Sequence, residues 1–137
     1  MDTSAIVAAM RSPTGASAAL LMLARRQGAI TLLGNVALAL EYEAACRRAE
    51  HGLAAQLRMD EVEVFSDVVI AMLEPVESHF VWRPMLRDPA DELVLEAAVN
   101  GQAAAIVTFN TRDFGDIPSR FGINVWTPAV ALKRIGT

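Results

Sequence analysis

The stretch RDPADELVLEAAVNGQAAAIVTFNTRDFG, residues 87–115, carries a helix start, a helix, a strand and a polar loop in direct succession. Asp88 stands where a helix N-cap is expected, and Pro89 at the first helical position, where its missing N–H is not needed. Apolar residues recur at helical spacing up to an Asn-Gly pair, which is typical of a helix end. Residues 103–108 (AAAIVT) are continuously apolar and predict a strand buried on both faces, followed by the polar loop NTRDFG.

The remainder of the chain continues this alternation of helices and strands. Periodicity and turn residues predict helices over residues 17–27, 36–48, 60–73 and 127–135, and strands over residues 29–33, 76–82 and 123–126. We expect Asn35 to cap the helix that follows it, and Asp60 with Glu63 to form a capping box. Because the strands are apolar without alternation, the pattern predicts an α/β fold with a parallel sheet covered by helices.

Composition limits the classes of protein to which the chain can belong. Its 137 residues, 53% of them hydrophobic, are expected to form a single domain over residues 1–137. We expect no membrane span and no secretory signal, because charges interrupt every apolar run. Cys46 is the single cysteine, so no internal disulfide is possible, and we expect a cytoplasmic protein. We expect Cys46 itself to be a small core residue. A net charge of −4 is not that of a general nucleic-acid-binding surface, although it is compatible with a carboxylate site.

Acidic and amide side chains gather near the predicted ends of helices and strands. These groups are Asp2, Glu41 with Glu43, Asp88 with Asp91, and Asn110 with Asp113. In a parallel sheet, sites form at the carboxyl ends of the strands, where several of these residues are expected. Oxygen ligands of this kind suit Mg²⁺, and carboxylates brought together repel each other unless a cation or proton lies between them. The pattern therefore indicates a metal site.

Each of these acids also has an ordinary structural interpretation. Asp88 is a natural helix cap, and Asp91 is favoured in the first turn by the helix dipole. Glu41 and Glu43 are compatible with solvated helix charges, and since they lie two apart, at most one of them faces a common site. We assign Glu41 to the site. The two polar residues of the NTRDFG loop equally suit a tight turn.

Taken together, these segments resemble the PIN-domain family. The DTS of residues 2–4 resembles the D-T-N opening of that family, and residues 35–48 resemble the helix that supplies its second acid. Residues 87–115 resemble the third acid, its helix, the next strand and the T-x-[D/N]-x-x-D-F loop. RSPTGAS at residues 11–17, and the WRP before Arg87, are similar to the VapC-related toxin branch. The resemblance covers nearly the whole chain.

The resemblance implies an activity and assigns residues to it. It implies hydrolysis of RNA phosphodiester bonds by a metal-bound water, with Mg²⁺ or Mn²⁺ as cofactor and no nucleophilic side chain. The implied catalytic residues are Asp2, Glu41, Asp91 and Asp113. The implied metal ligands are Asp2, Asp91, Asn110 and Asp113, with support from Thr3, Ser4, Asp88 and Thr108. Candidate RNA contacts are Arg11, Arg83, Arg87 and Arg112.

The resemblance also implies a three-layer sandwich with a central parallel sheet, a homodimer and a cognate antitoxin protein. In the family the first acid ends a central strand; since only Met1 precedes Asp2, we expect the first strand to be truncated. Trp82 and Phe109 could stack on bases, although we expect both to be buried. One alternative is a catalytically crippled PIN-fold binding or scaffold protein. Another is an α/β small-molecule binder, but the sequence has neither GxGxxG nor a P-loop motif.

Overall fold

The computed structural model describes residues 1–26, 29–48, 51, 55–77 and 85–135. Helices and strands alternate along most of this chain. In order, they are α1 (Thr3–Arg11), α2 (Ala16–Arg25), β1 (Leu32–Gly34), α3 (Val36–Arg47), α4 (Met59–Ala71), β2 (Leu73–Pro75), α5 (Pro89–Asn100), β3 (Ala105–Val107), a 3-10 helix (Thr111–Phe114), α6 (Ile117–Arg120), β4 (Asn124–Trp126) and α7 (Pro128–Ile135). Five of these helices were predicted, whereas α1 and α6 were not.

Side-chain caps determine where two of the predicted helices begin. The Asn35 side chain accepts a hydrogen bond from the Leu38 N–H at 2.8 Å, at the start of α3. The Asp88 carboxylate accepts one from the Ala90 N–H at 2.7 Å, and Pro89 takes the first position of α5. Both predicted caps are confirmed. They satisfy N–H groups that the first turn of a helix leaves without a partner.

The predicted start of α4 is wrong by one residue, and the predicted capping box is wrong by two. Helix α4 begins at Met59, and the Glu61 carboxylate accepts a hydrogen bond from the Arg58 N–H at 3.0 Å. Asp60 instead accepts from the Glu61 N–H at 3.0 Å. The three-residue spacing of a capping box is therefore provided by Arg58 and Glu61, which precede the expected pair by two residues.

The strands form two separate parallel pairs. Strand β1 pairs with β2, and β3 pairs with β4, each over three residues. Three predicted strands coincide with β1, β3 and β4 but are longer than the observed ones. The strand predicted over residues 76–82 is wrong for Val76 and Glu77, since β2 ends at Pro75; its remainder, with Trp82, lies outside the described residues. The α/β class with parallel strands is confirmed, whereas a single central sheet in a three-layer sandwich stays a prediction.

An apolar cavity of about 490 Å³ lies between β1 and β3. Leu32, Ile106 and Val107 line it, as do residues of α5, which packs on both strands. Met1 also lines this cavity, and the Asp2 N–H donates to the Val107 carbonyl at 2.9 Å, as the end of a strand beside β3 would. The space between the two pairs is where a strand connecting them into one continuous sheet would lie.

Helices α1, α3 and α5 supply much of the core around the strands. Ile6, Tyr42 and Leu95 are fully buried, and Cys46 lies beside them. Burial raises the pKa of the Cys46 thiol to about 11, so it behaves as the small core residue expected. Within the described residues, no single helix is both long enough and apolar enough to span a membrane. Helices α1 and α2 meet these two criteria only when they are counted together, and the chain bends by 98° between them.

Candidate functional site

An acidic cavity of about 400 Å³ lies where α1 and α5 begin, beside α3 and the loop after β3. Its described lining consists of Asp2, Thr3, Ser4, Glu41, Arg48, Asp88, Pro89, Ala90, Asp91, Asn110 and Asp113. The fold thus brings together, from four separate segments, every acid and amide that the sequence pattern assigned to a site. Thr108, expected to support them, lies buried beneath the cavity.

The Asp2 carboxylate is held from two sides. It is 3% exposed, and its Oδ1 accepts hydrogen bonds from the Ser4 hydroxyl at 2.5 Å and the Ala5 N–H at 3.2 Å. Its Oδ2 accepts a hydrogen bond from the Thr108 hydroxyl. An ionised carboxylate can accept about four hydrogen bonds. Asp2 is therefore oriented by the protein and retains capacity for one further partner.

The loop after β3 is tied to the start of α1. The Thr108 hydroxyl accepts a hydrogen bond from the Asn110 N–H at 2.9 Å, and the Ser4 hydroxyl accepts one from the Phe109 N–H at 3.3 Å. The Asp113 N–H then donates to the Asn110 carbonyl at 3.0 Å, which starts a 3-10 helix where an irregular loop was expected. These bonds bring Asn110 and Asp113 to the cavity.

Asp91 lies in this cavity among other carboxylates. The pKa of its carboxyl is raised to about 6, above the ordinary value of 3.8. Burial is the largest cause of this rise, and the neighbouring carboxylates of Asp88, Asp2 and Asp113 contribute to it. A group whose ionisation is opposed by burial and by like charges favours a cation beside it. Perturbed acids of this kind are frequent at functional sites.

Glu41 and Glu43 point to different environments, as their spacing predicts. Glu41 lines the cavity, whereas Glu43 pairs with Arg47 at 3.1 Å. Arg48 also lines the cavity, with its Nη2 at 3.7 Å from the Glu41 Oε1, although the sequence pattern did not single it out. A signal existed: Arg48 follows Glu41 by seven residues, two helical turns, which places both on one face of α3.

The described candidate RNA contacts do not line the cavity. Arg11, Arg87 and Arg112 are exposed, and none is among the described residues that line the cavity. Arg83 lies outside the described residues. Phe109 is 52% exposed, so the expectation that it is buried is wrong. The adjacent Thr108 points inward at the end of β3, and successive side chains of a strand point to opposite faces.

The donor set suits a hydrated divalent cation. Carboxylate and amide oxygens are the ligands that Mg²⁺ and Mn²⁺ prefer. Across the described ranges, no three His, Cys, Asp or Glu side chains are close enough to hold one ion together. Mg²⁺ usually keeps several waters and binds one or two carboxylates directly. The residues therefore fit a cation bound partly through water, and not a cage of protein ligands.

Comparison with known proteins identifies the family. The family model of the PIN domain matches residues 1–112, which include four of the five candidate acids and end one residue before Asp113. No curated protein and no solved structure matches the chain. PIN domains are generally nucleases that use divalent metals. The match spans most of the sequence. It includes three of the four segments that form the cavity and part of the fourth. This chain therefore belongs to the PIN-domain family.

Proposed function

We propose that this chain is a metal-dependent endoribonuclease that hydrolyses RNA phosphodiester bonds, the VapC-like toxin of a bacterial toxin–antitoxin pair. The convergence of five carboxylates and one amide in a single cavity carries the proposal. Family membership supports it, since PIN domains are generally nucleases. In this proposal water attacks the phosphorus directly, so no side chain has to act as nucleophile.

In this proposal, one group of residues binds the metal ion, and Glu41 accepts a proton. Asp2, Asp91, Asn110 and Asp113 would hold a Mg²⁺ or Mn²⁺ ion, some of them through water, and the ion would supply positive charge to the scissile phosphate and acidify a water. The hydrogen bonds from Ser4 and Thr108 keep Asp2 in one orientation, so little reorganisation is needed. Glu41 lines the same cavity and would accept the proton of the attacking water.

The exposed ring of Phe109 extends the proposal to the substrate. Phe109 directly precedes Asn110 of the cavity, and its backbone is held by Ser4. Unpaired bases stack on exposed aromatic rings, whatever their sequence. We therefore assign Phe109 to a base next to the scissile phosphate.

The proposal includes two protein partners, a cognate antitoxin and a second copy of the chain. An apolar groove of about 680 Å³ runs along α2 and α4 and supports such contacts. Met22, Val64 and Val68 line it and are exposed. Exposed apolar side chains that share one groove are typical of protein interfaces.

Cleavage of a labelled single-stranded RNA tests the nuclease. The assay compares Mg²⁺ or Mn²⁺ with EDTA, and wild type with Asp91→Asn. Loss of a supporting residue around a metal typically lowers activity about 10–100-fold, so loss of a ligand should lower it by at least about 100-fold. Asp67→Asn is the matched control, because Asp67 is an exposed acid on α4 outside the cavity. Cleavage that persists in EDTA, or in Asp91→Asn, contradicts the proposal.

A second candidate is a PIN-fold binding or scaffold protein without catalysis. One observation favours it: within the described part of the chain, the acids do not approach closely enough for three of them to hold one ion. Thermal unfolding with and without Mn²⁺ separates the candidates when combined with the cleavage assay. A folded protein that Mn²⁺ does not stabilise and that does not cleave RNA supports the binding protein, whereas stabilisation that Asp91→Asn abolishes supports the metal site.

A further inference from the structure

Arg48 is the one cationic side chain among the described residues that line the acidic cavity. It follows the last residue of α3, and its side chain is 53% exposed. Five carboxylates share the cavity with it. A positive charge that remains accessible among so many negative charges is placed to meet an anion from outside.

The contact between Arg48 and Glu41 is loose. The Arg48 Nη2 lies 3.7 Å from the Glu41 Oε1, beyond the 2.7–3.2 Å of an ordinary N–H···O hydrogen bond. Arg47, the preceding residue, is held more closely, at 3.1 Å from Glu43 and 3.3 Å from Glu63 of α4. Exposed ion pairs contribute little to stability, so exchanging the partner of Arg48 costs little.

A phosphodiester that approaches this cavity meets repulsion from the carboxylates, which a nearby cation offsets. The planar guanidinium matches phosphate oxygens with two parallel N–H donors. We propose that Arg48 binds a phosphate of the RNA substrate at the edge of this cavity, exchanging its contact with Glu41 for the phosphate. This inference rests on the proposed nuclease function and adds to it a residue that positions the substrate.

The exchange has a consequence for Glu41. With Arg48 on the phosphate, the Glu41 carboxylate no longer contacts Arg48 and is available to a water in the cavity. Substrate binding is thereby coupled to the availability of Glu41, and Arg48 acts before the chemical step. Arg48→Ala should therefore weaken binding as well as turnover.

Binding of a fluorescein-labelled single-stranded RNA, followed by fluorescence anisotropy in EDTA, tests the inference without hydrolysis. We expect Arg48→Ala to weaken binding by about tenfold or more, as loss of a charge-assisted hydrogen bond does. The slope of log affinity against log salt should fall by about 0.7, the value for one phosphate contact on a single strand. Arg48→Lys should recover part of the affinity. Arg47→Ala is the matched control, and we expect it to bind like wild type.

A double variant excludes an indirect effect through Glu41. If Arg48 contacts the phosphate, Arg48→Ala weakens binding as much in a Glu41→Gln background as in wild type. An effect that disappears in that background overturns the inference, as does binding by Arg48→Ala equal to that of Arg47→Ala. Wild type that binds RNA through Arg48 but does not cleave it with Mg²⁺ or Mn²⁺ overturns the nuclease and leaves this inference standing. Wild type that does not bind RNA in EDTA overturns this inference, whereas the nuclease is decided by the cleavage assay with Mg²⁺ or Mn²⁺.

Discussion

The Thr108 hydroxyl donates a hydrogen bond to the Asp2 carboxylate, joining the end of β3 to the start of α1 across 106 residues of sequence. Thr108 is fully buried and Asp2 nearly so. The same hydroxyl accepts from the Asn110 N–H at 2.9 Å. One buried oxygen therefore links the first acid of the site to the loop that carries Asn110 and Asp113.

Replacing Thr108 with valine should destabilise the protein. Thr108→Val keeps the shape of the side chain but leaves the Asp2 Oδ2 and the Asn110 N–H without this partner. A buried polar group left unsatisfied costs about 1–3 kcal/mol, so urea unfolding should show a fall of that size in the free energy of unfolding. Thr108→Ser keeps the hydroxyl and serves as the control. Equal stability of Thr108→Val and wild type would count against this link.

The stability of the metal-free protein should depend on the ionisation of Asp91. Because the folded-state pKa of Asp91 is raised to about 6, the folded protein binds its proton more tightly than the unfolded chain does. The destabilisation is fully present above about pH 6 and is relieved as the pH falls through 6 towards the ordinary value of 3.8. Thermal unfolding in EDTA should therefore show Asp91→Asn more stable than wild type at about pH 8, and the difference shrinking at about pH 5. A difference that does not change with pH contradicts the assignment.

Glu41 and Glu43 offer a matched pair on one helix. Glu41→Gln removes a carboxylate from the cavity and should lower kcat/KM for RNA cleavage by about 100-fold, within the range for loss of a general base. Glu43→Gln removes the ion pair with Arg47 and should leave cleavage within about twofold of wild type, since surface pairs contribute little. Steady-state kinetics of both variants, with thermal unfolding as a check on folding, measures this. Similar losses in both variants would exclude a specific role for Glu41.

Phe109→Leu should weaken substrate binding without affecting the fold. Base stacking on an aromatic ring contributes about 1–3 kcal/mol, so KM should rise by about fivefold or more, whereas Phe109→Trp should retain the wild-type KM. Phe121→Leu is the control, because Phe121 is similarly exposed but, unlike Phe109, is not adjacent in sequence to a residue that lines the acidic cavity. An unchanged KM in Phe109→Leu would remove Phe109 from the substrate site.

The proximity of the candidate residues could be predicted where the type of a residue and its position in a helix or strand carried the information. Asp88 and Asp91 begin a helix, and Asn110 follows a strand, so their proximity follows from the geometry of parallel strands and crossover helices. Arg48 was not predicted as a site residue, because two helical turns separate it from Glu41. Only the position of α3 beside the cavity shows that the face of α3 with Glu41 and Arg48 lines the site. The exposure of Phe109 was not predicted either, because an aromatic residue after a buried strand is usually buried as well.

Most of the helices and strands could be predicted from local sequence, because the interactions that define them join residues only two or three positions apart. The caps of α3 and α5 by Asn35 and Asp88 are of this kind. The arrangement of the strands in two pairs with a cavity between them, and the contact of Thr108 with Asp2, could not be predicted in this way. Contacts across tens of residues depend on how the helices pack, and packing depends on the shapes of all the core side chains together, which no local pattern contains.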